Sequence, residues 1–318
     1  MSDLPLIQAD RAVPPPAATP TTGGRRRRLR LLSRTDRVVI TLMVLVPLLL
    51  VTAFVWLPAA ATVVLSSTDW DGIGPLNEID FVGARNYSDV VNIYPPFVPA
   101  IQNNLLWLAV LFLVATPFGM FLAVLLDKEL RGSRFYQTAL YLPVVLSLAL
   151  IGFVWQLLYS RDQGLINAVF GSSIDWYGDS NVNIWAVMVA SGWRHVGYIM
   201  LLYLAGLKGV DPSLREAAAV DGASESRTFF RVVFPVLRPI NVIVLVVTVI
   251  ESLRAFDLVW VVNKGRNGLE LISALVTQNV VGEASRIGFG SALATIMLVV
   301  SLVFITIYLA TVMRENRQ

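Results

Sequence analysis

Six predominantly apolar stretches, at about 38–65, 105–126, 138–159, 184–207, 234–261 and 287–312, constrain this chain more than any other feature. A helix rises about 1.5 Å per residue, so roughly 20 apolar residues match the ~30 Å hydrocarbon core of a bilayer. In lipid every backbone N–H and C=O must be satisfied within its own segment, so each stretch is read as a helix. The predicted fold is all-α and integral to the membrane, with about six transmembrane helices. Composition agrees: 56% of the 318 residues are hydrophobic, 15% are charged and the mean hydropathy is +0.67. Soluble domains rarely carry so few charges.

Charge placement predicts orientation. Eighteen Lys and Arg fall before the first stretch, around Lys128, Arg131 and Arg134, between Lys208 and Arg238, and at Arg314 and Arg317. The alternate loops hold six: Arg85, Arg161, Arg254, Lys264, Arg266 and Arg286. Positive loops stay inside, so both termini are expected in the cytoplasm. The run Arg25, Arg26, Arg27, Arg28, Arg30, Arg34 and Arg37 is a topogenic cluster beside anionic headgroups, not a nucleic-acid site, because a long apolar segment follows at once. Residues 1–34, with Pro14, Pro15, Pro16 and Pro20, lack apolar periodicity and are expected to form a disordered basic cytoplasmic tail, leaving 35–318 as the transmembrane domain. The apolar stretch is too long for a cleaved secretory signal. Without cysteine and with a single histidine, disulfides and Cys or His metal clusters are excluded.

Between the fourth and fifth stretches, 211–223 reads as a short helix. Asp211 is a plausible N-cap, Pro212 suits the first helical position and Gly222 supplies a stop. Such a helix is built either to insert into a groove on a soluble partner or to serve as a solvated connector. Glu216, Ala217 and Ala218, with Gly222 six residues after the glutamate and Pro235 thirteen further on, resemble the EAA loop of binding-protein-dependent importer permeases. Phe234 and Val232 are mild departures from the Leu and Ile usual there. Gly132, Phe135, Leu142, Pro143, Trp155, Gly164, Asn167, Trp176, Trp193, Arg194, the run Leu204, Ala205, Gly206, Leu207, and Asp221, Ala223 and Ser224 resemble the carbohydrate branch, of maltose/trehalose type. The similarity extends from about 36 to about 312.

The resemblance implies a type I ABC importer permease in a bacterial plasma membrane. Its loop, 208–235, would hold a coupling helix in a cleft of an ATPase subunit, with Arg215, Glu216, Ala217, Ala218, Asp221 and Gly222 making the contact. The implied partners are a second permease chain, commonly forming a heterodimeric pore, two ATPase subunits and an extracytoplasmic solute-binding protein. ATP and Mg would be bound by the partner ATPase, with no cofactor in this chain. The sequence holds no Gly-x-x-x-x-Gly-Lys-Ser/Thr phosphate loop, and no nucleophile constellation that would make it an enzyme.

Ionisable side chains inside a span usually face a water-filled path. Ser191, Arg194, His195 and Tyr198, at helical offsets of three, four and seven, share a face of the fourth stretch; Thr248, Glu251 and Ser252 stand on the fifth. Glu251, sixteen residues past Pro235, lies roughly 24 Å up the helix, in the outer half. In the resembled family the helices flanking the loop line the path of the solute, which supports these seven residues. Arg254 and Asp257 are expected to snorkel to the outer headgroups, Trp107, Trp155, Trp176, Trp185 and Trp260 to anchor at interfaces, and Gly288, Gly290, Ala292 and Ala294 to permit close packing. The segment 265–282, which contains the apolar 271–276, either lies where the binding protein docks, as the family implies, or is a loop resting on the membrane surface. A proton-relay role for His195 ranks below a structural one, since relays string several titratable groups together. Alternatives are a permease for another polar solute or an ion-coupled secondary transporter, for which a two-fold internal repeat is missing.

Overall fold

The computed structural model describes residues 33–75, 79–128, 131–282 and 285–315. The expected tail, 1–34, lies almost wholly outside them. Two compact units divide the chain, Met1–Val55 and Trp56–Gln318. The first holds α1 (Arg34–Val51), started by a capping box in which Ser33 Oγ accepts from the Asp36 amide and Asp36 Oδ2 accepts from the Ser33 amide. Its described side chains are exposed, and from Val38 onward nearly all are apolar, a surface suited to lipid.

The second unit begins with α2 (Leu57–Leu65), a loop and α3 (Arg85–Asn92). Then α4 (Phe97–Val110), a π-helical turn at Leu111–Ala115 and α5 (Thr116–Asp127) make one apolar run. Next come α6 (Ser133–Val145) and α7 (Leu148–Leu158), which meet at 104°. Pro143 weakens the end of α6, and Ser147 Oγ accepts from the Leu150 amide to start α7 afresh. After α8 (Leu165–Phe170) the 26-residue α9 (Asn183–Lys208) crosses the unit, touching α4, α5, α6 and α7. The short α10 (Pro212–Val220), α11 (Glu225–Thr228) and α12 (Phe234–Val236) follow. From there α13 (Arg238–Leu253) departs at 77°, and α14 (Asp257–Asn263), α15 (Ile272–Val280) and α16 (Ile287–Glu315) complete the chain.

Among the described residues, three helical stretches, Thr35–Leu65, Phe97–Asp127 and Ile287–Thr306, are long and apolar enough to cross a membrane, and five are if each bent pair is one span. The fourth of the six expected spans, α9, has the length, but Arg194 and His195 dilute its apolar character. It sits in the middle of the unit, where neighbouring helices rather than lipid meet much of its surface.

Close approach of backbones sets the packing. A Cβ on Gly119 of α5 would lie 2.8 Å from the Val196 carbonyl oxygen and 2.9 Å from Ile199 Cβ of α9. Gly197 meets the Leu140 carbonyl of α6 in the same way. Small residues thus let α9 lie against two neighbours at backbone distance. Gly288 and Gly290, at the head of α16, leave room only for Thr68 and Val280, and Ala292 is buried, as the small-residue series predicts.

Three apolar clusters form the core. One joins α5 to α9 through Ala123, Leu126, Ile199, Met200 and Tyr203. Another joins α4, α7, α9 and α14 around Trp107, Ile151, Met188 and Val259. The third seats α15 on α3, α4 and α16 through Leu275, Phe97 and Leu293. Two expectations are corrected here. Trp107 is 2% exposed and belongs to the core, not to an interface. The apolar 271–276 lies neither on the membrane surface nor free for a partner: Leu271, Ile272, Ala274 and Leu275 are buried inside the unit. Asn104 holds them there, its Oδ1 accepting from the Ile272 amide at 3.0 Å and its Nδ2 donating to the Ser252 carbonyl at 3.2 Å.

Candidate functional site

Two features gather the polar residues of the second unit. At one end, α10 is punctuated as its sequence requires. Asp211 Oδ1 accepts from the Ser213 amide at 2.9 Å, and that bond holds the Asp211 carboxyl below its ordinary value. Pro212 fills the first helical position. The helix ends at Gly222, with φ +72°, where the Ala223 amide bonds back to the Ala218 carbonyl at 3.0 Å. A Cβ on Gly222 would meet nothing within 4 Å, so glycine is there for its backbone conformation.

Of the residues predicted for this loop, Glu216, Ala217, Asp221 and Gly222 lie open at the surface. Ala218 is buried. Arg215 turns back toward the bundle, donating from Nη1 to Asp127 Oδ2 at 2.8 Å. Most of α10 is therefore open, anchored by Ala218 and Arg215, with the Glu216 carboxylate among its exposed side chains. Beside it, between α5 and the segment 215–233, runs a groove of about 650 Å³, walled by Met120, Phe121, Val124, Phe229 and Val233.

The second feature is a cavity of about 200 Å³ lined by Trp107, Ser191, Arg194, Glu251, Arg254 and Asp257, among others. Here α9 and α13 meet. Arg194 Nη1 donates to Glu251 Oε2 at 3.2 Å, while the buried Nε of Arg194 has no partner. Two cations and two anions thus share one small space, together with a serine hydroxyl and an indole. Arg254 and Asp257, expected at the headgroups, line this cavity instead.

The remaining predicted path residues stand behind the cavity. His195 is 3% exposed, its Nε2 3.2 Å from Thr248 Oγ1. Thr248 Oγ1 donates to the Val244 carbonyl at 2.8 Å and lies 3.3 Å from Thr116 Oγ1 on α5. Ser252 is buried, donating from Oγ to the Val249 carbonyl at 2.9 Å. Tyr198 packs beside the α5–α9 cluster. The structure therefore brings Ser191, Arg194 and Glu251 together and places His195, Thr248, Ser252 and Tyr198 in packing positions around them. Three residues that tie these features in place escaped the sequence reading: Asp127, Thr116 and Asn104. A carboxylate in the basic segment 127–134 was a signal for the first; the other two are single polar residues in apolar runs.

Among the described residues, no group of three or more His, Asp and Glu side chains is placed to hold a metal ion. The structure thus defines an all-α multi-pass membrane protein with a polar cavity between two helices and a punctuated surface helix at one end. Residues 115–315 match the binding-protein-dependent transport system inner membrane component family, and the chain belongs to that family. It is a transport component, not an enzyme. It is 31% identical over 275 residues to the probable ABC transporter permease protein YurN of Bacillus subtilis, covering 83% of this chain and 92% of that one. It is 31% identical over 274 residues to the xylose/arabinose import permease protein XacH of Haloferax volcanii, covering 83% and 84%. The trehalose/maltose transport system permease protein MalF of Thermococcus litoralis is 28% identical over 276 residues, covering 84% and 91%. In fold the chain is similar to a chain of a bacterial ABC transporter that imports the acidic polysaccharide alginate, with TM-score 0.76 and 18% identity over 88% of this chain and 96% of that one. This is the type I importer permease fold.

Proposed function

We propose that this chain is the sugar-conducting permease subunit of an ATP-driven importer, and that α10 is its coupling helix. The observation that carries the reading is the surface of α10: a helix fixed at both ends, with Glu216, Ala217, Asp221 and Gly222 open at the surface, inside the segment that matches the family. A rigid helix with an exposed carboxylate suits docking into a groove of a soluble partner. The partner is an ATPase subunit, two copies of which bind ATP and Mg; no cofactor is assigned to this chain. A second permease chain completes the pore, and an extracytoplasmic binding protein delivers the solute. A solved relative of this fold, in complex with an alginate pentasaccharide-bound periplasmic protein, supports that last partner.

Both termini face the cytoplasm in this reading, and 1–34 is a basic cytoplasmic tail on the transmembrane domain 35–318. Ser191, Arg194 and Glu251 line the solute path, backed by the buried Trp107. His195, Tyr198, Thr248 and Ser252 shape it from behind. The sugar assignment rests on named relatives that carry xylose and arabinose or trehalose and maltose. One relative, 31% identical over 261 residues, is named for osmoprotective compounds, which favours a second reading, uptake of another polar solute. Changing Glu216 or Gly222 tests the coupling role. Either variant should uncouple uptake from ATP hydrolysis or loosen assembly with the ATPase, and normal transport in both would sink the assignment.

A further inference from the structure

The last residue of α5 and the one that caps it carry opposite charges, and each is tied to the segment that contains α10. Asp127, the final residue of the helix, accepts from Arg215 at 2.8 Å through Oδ2 and faces Lys208 Nζ at 3.5 Å through Oδ1. Lys128, the next residue, reaches Glu225 Oε2 at 2.6 Å. Arg215 lies on α10 and Glu225 begins α11, so the two bonds grip the loop on either side of Gly222. Asp127, Lys128, Arg215 and Glu225 all line the same groove of about 650 Å³.

A carboxylate at the C-terminus of a helix opposes the helix dipole, and burial adds a further penalty. The Asp127 side chain is only 8% exposed. Its place is therefore unfavourable on local grounds and is supported by the two cations brought to it, one from the end of α9 and one from α10. Lys128 and Glu225 are 50% and 86% exposed and screened by water, so they add direction more than strength.

We propose that Asp127 and Lys128 form a two-point clamp through which α10 moves the span that ends in them, with Asp127 the positioning residue of the joint. The proposal rests on reading α10 as the coupling helix. A groove of about 650 Å³ opens between α5 and 215–233, and beside the packing of Val210, Phe229 and Val233 and the short link to α9, the ion pairs of Asp127 and Lys128 are the side-chain ties that carry displacement of the α10 segment straight to the end of α5. From α5 the contact is tight: Gly119 meets the α9 backbone, and Thr116 reaches Thr248 and, through it, His195 beside Arg194. Movement at the clamp thus reaches the helices that line the cavity.

The test uses the transporter assembled with its ATPase subunits and companion permease in liposomes. This chain has no cysteine, so Ser191→Cys places one reporter thiol of its own in the cavity. Its rate of reaction with a membrane-impermeant maleimide is measured with and without ATP and Mg. In the Ser191→Cys parent, ATP should change that rate about tenfold, a coupling of ordinary size. Adding Asp127→Asn should leave ATP hydrolysis within about twofold while the ATP-dependent change in rate is lost, and Asp127→Glu should restore it. Should Asp127→Asn fail to assemble, Arg215→Gln, which leaves Asp127 paired with Lys208, must show the same loss. An ATP-dependent change that survives in the assembled variant overturns the clamp and leaves the coupling helix standing. No ATP-dependent change in the parent overturns both.

Discussion

Replacing Glu251 probes the cavity most sharply. Its carboxylate takes a charge-assisted hydrogen bond from Arg194 at 3.2 Å, and the two side chains are 39% and 24% exposed. Hydrogen bonds to charged groups contribute about 1.5–3 kcal/mol and neutral ones about 0.5–1.5, so Glu251→Gln, which keeps the acceptor, should cost about 1 kcal/mol. Partial exposure holds the figure at the low end. Glu251→Ala removes the acceptor from an arginine whose Nε already lacks a partner, and should cost about 2–3 kcal/mol. Thermal unfolding of the assembled transporter in detergent reads these differences at about 2–4 °C per kcal/mol. Because Arg194→Met abolishes the same bond, the double variant should be about 1–2 kcal/mol less damaged than the sum of the singles. Additivity within about 0.3 kcal/mol would refute the pairing of α9 with α13 through these side chains.

Other expectations follow from the packing. Asn104→Ala strands the buried Ile272 amide and the Ser252 carbonyl, which should cost about 2–4 kcal/mol and open the segment 265–282 to proteolysis. Gly197→Val drives a side chain against the Leu140 carbonyl and should lower stability by about 1–3 kcal/mol, whereas Gly192→Ala, where nothing lies within 4 Å, should be neutral or stabilise by up to ~1 kcal/mol. The bond from Lys128 holds the Glu225 carboxyl below its ordinary value of 4.5. A depressed folded value means the contribution is present above the unfolded value and is lost as pH falls through the folded one. Unfolding of wild type against Glu225→Gln should therefore differ by a constant amount from pH 7 to about 5, and converge under more acidic conditions.

The long apolar elements were legible because spans are set by length and by the absence of charge, both properties of one segment at a time. The caps of α10 were legible for the same reason: Asp211, Pro212 and Gly222 act on their immediate neighbours. What escaped depends on partners far along the chain. Trp107 reads as an interfacial anchor until α7, α9 and α14 cover it. The face shared by Ser191, Arg194, His195 and Tyr198 is real on one helix, yet α5 and α13 divide it. Arg194 meets Glu251, and His195 meets a threonine that bridges to Thr116. Residues 271–276 read as a surface stretch because a single sequence does not show that Asn104, on another helix, presents partners for the start of α15. Asp127 was passed over because in the sequence it is one of two acids, with Glu129, interleaved with Lys128, Arg131 and Arg134; its meaning lies in Lys208 and Arg215.

The central claim, that this chain conducts a solute in an importer driven by partner ATPases, is tested most directly by transport. The chain, its companion permease, the ATPase subunits and the binding protein are reconstituted in vesicles and offered radiolabelled xylose, arabinose, trehalose and maltose. The account predicts uptake of at least one of these that needs ATP and Mg, the ATPase and the binding protein together, and that fails when any is left out. Uptake by this chain alone under an ion gradient, without ATP, would contradict it.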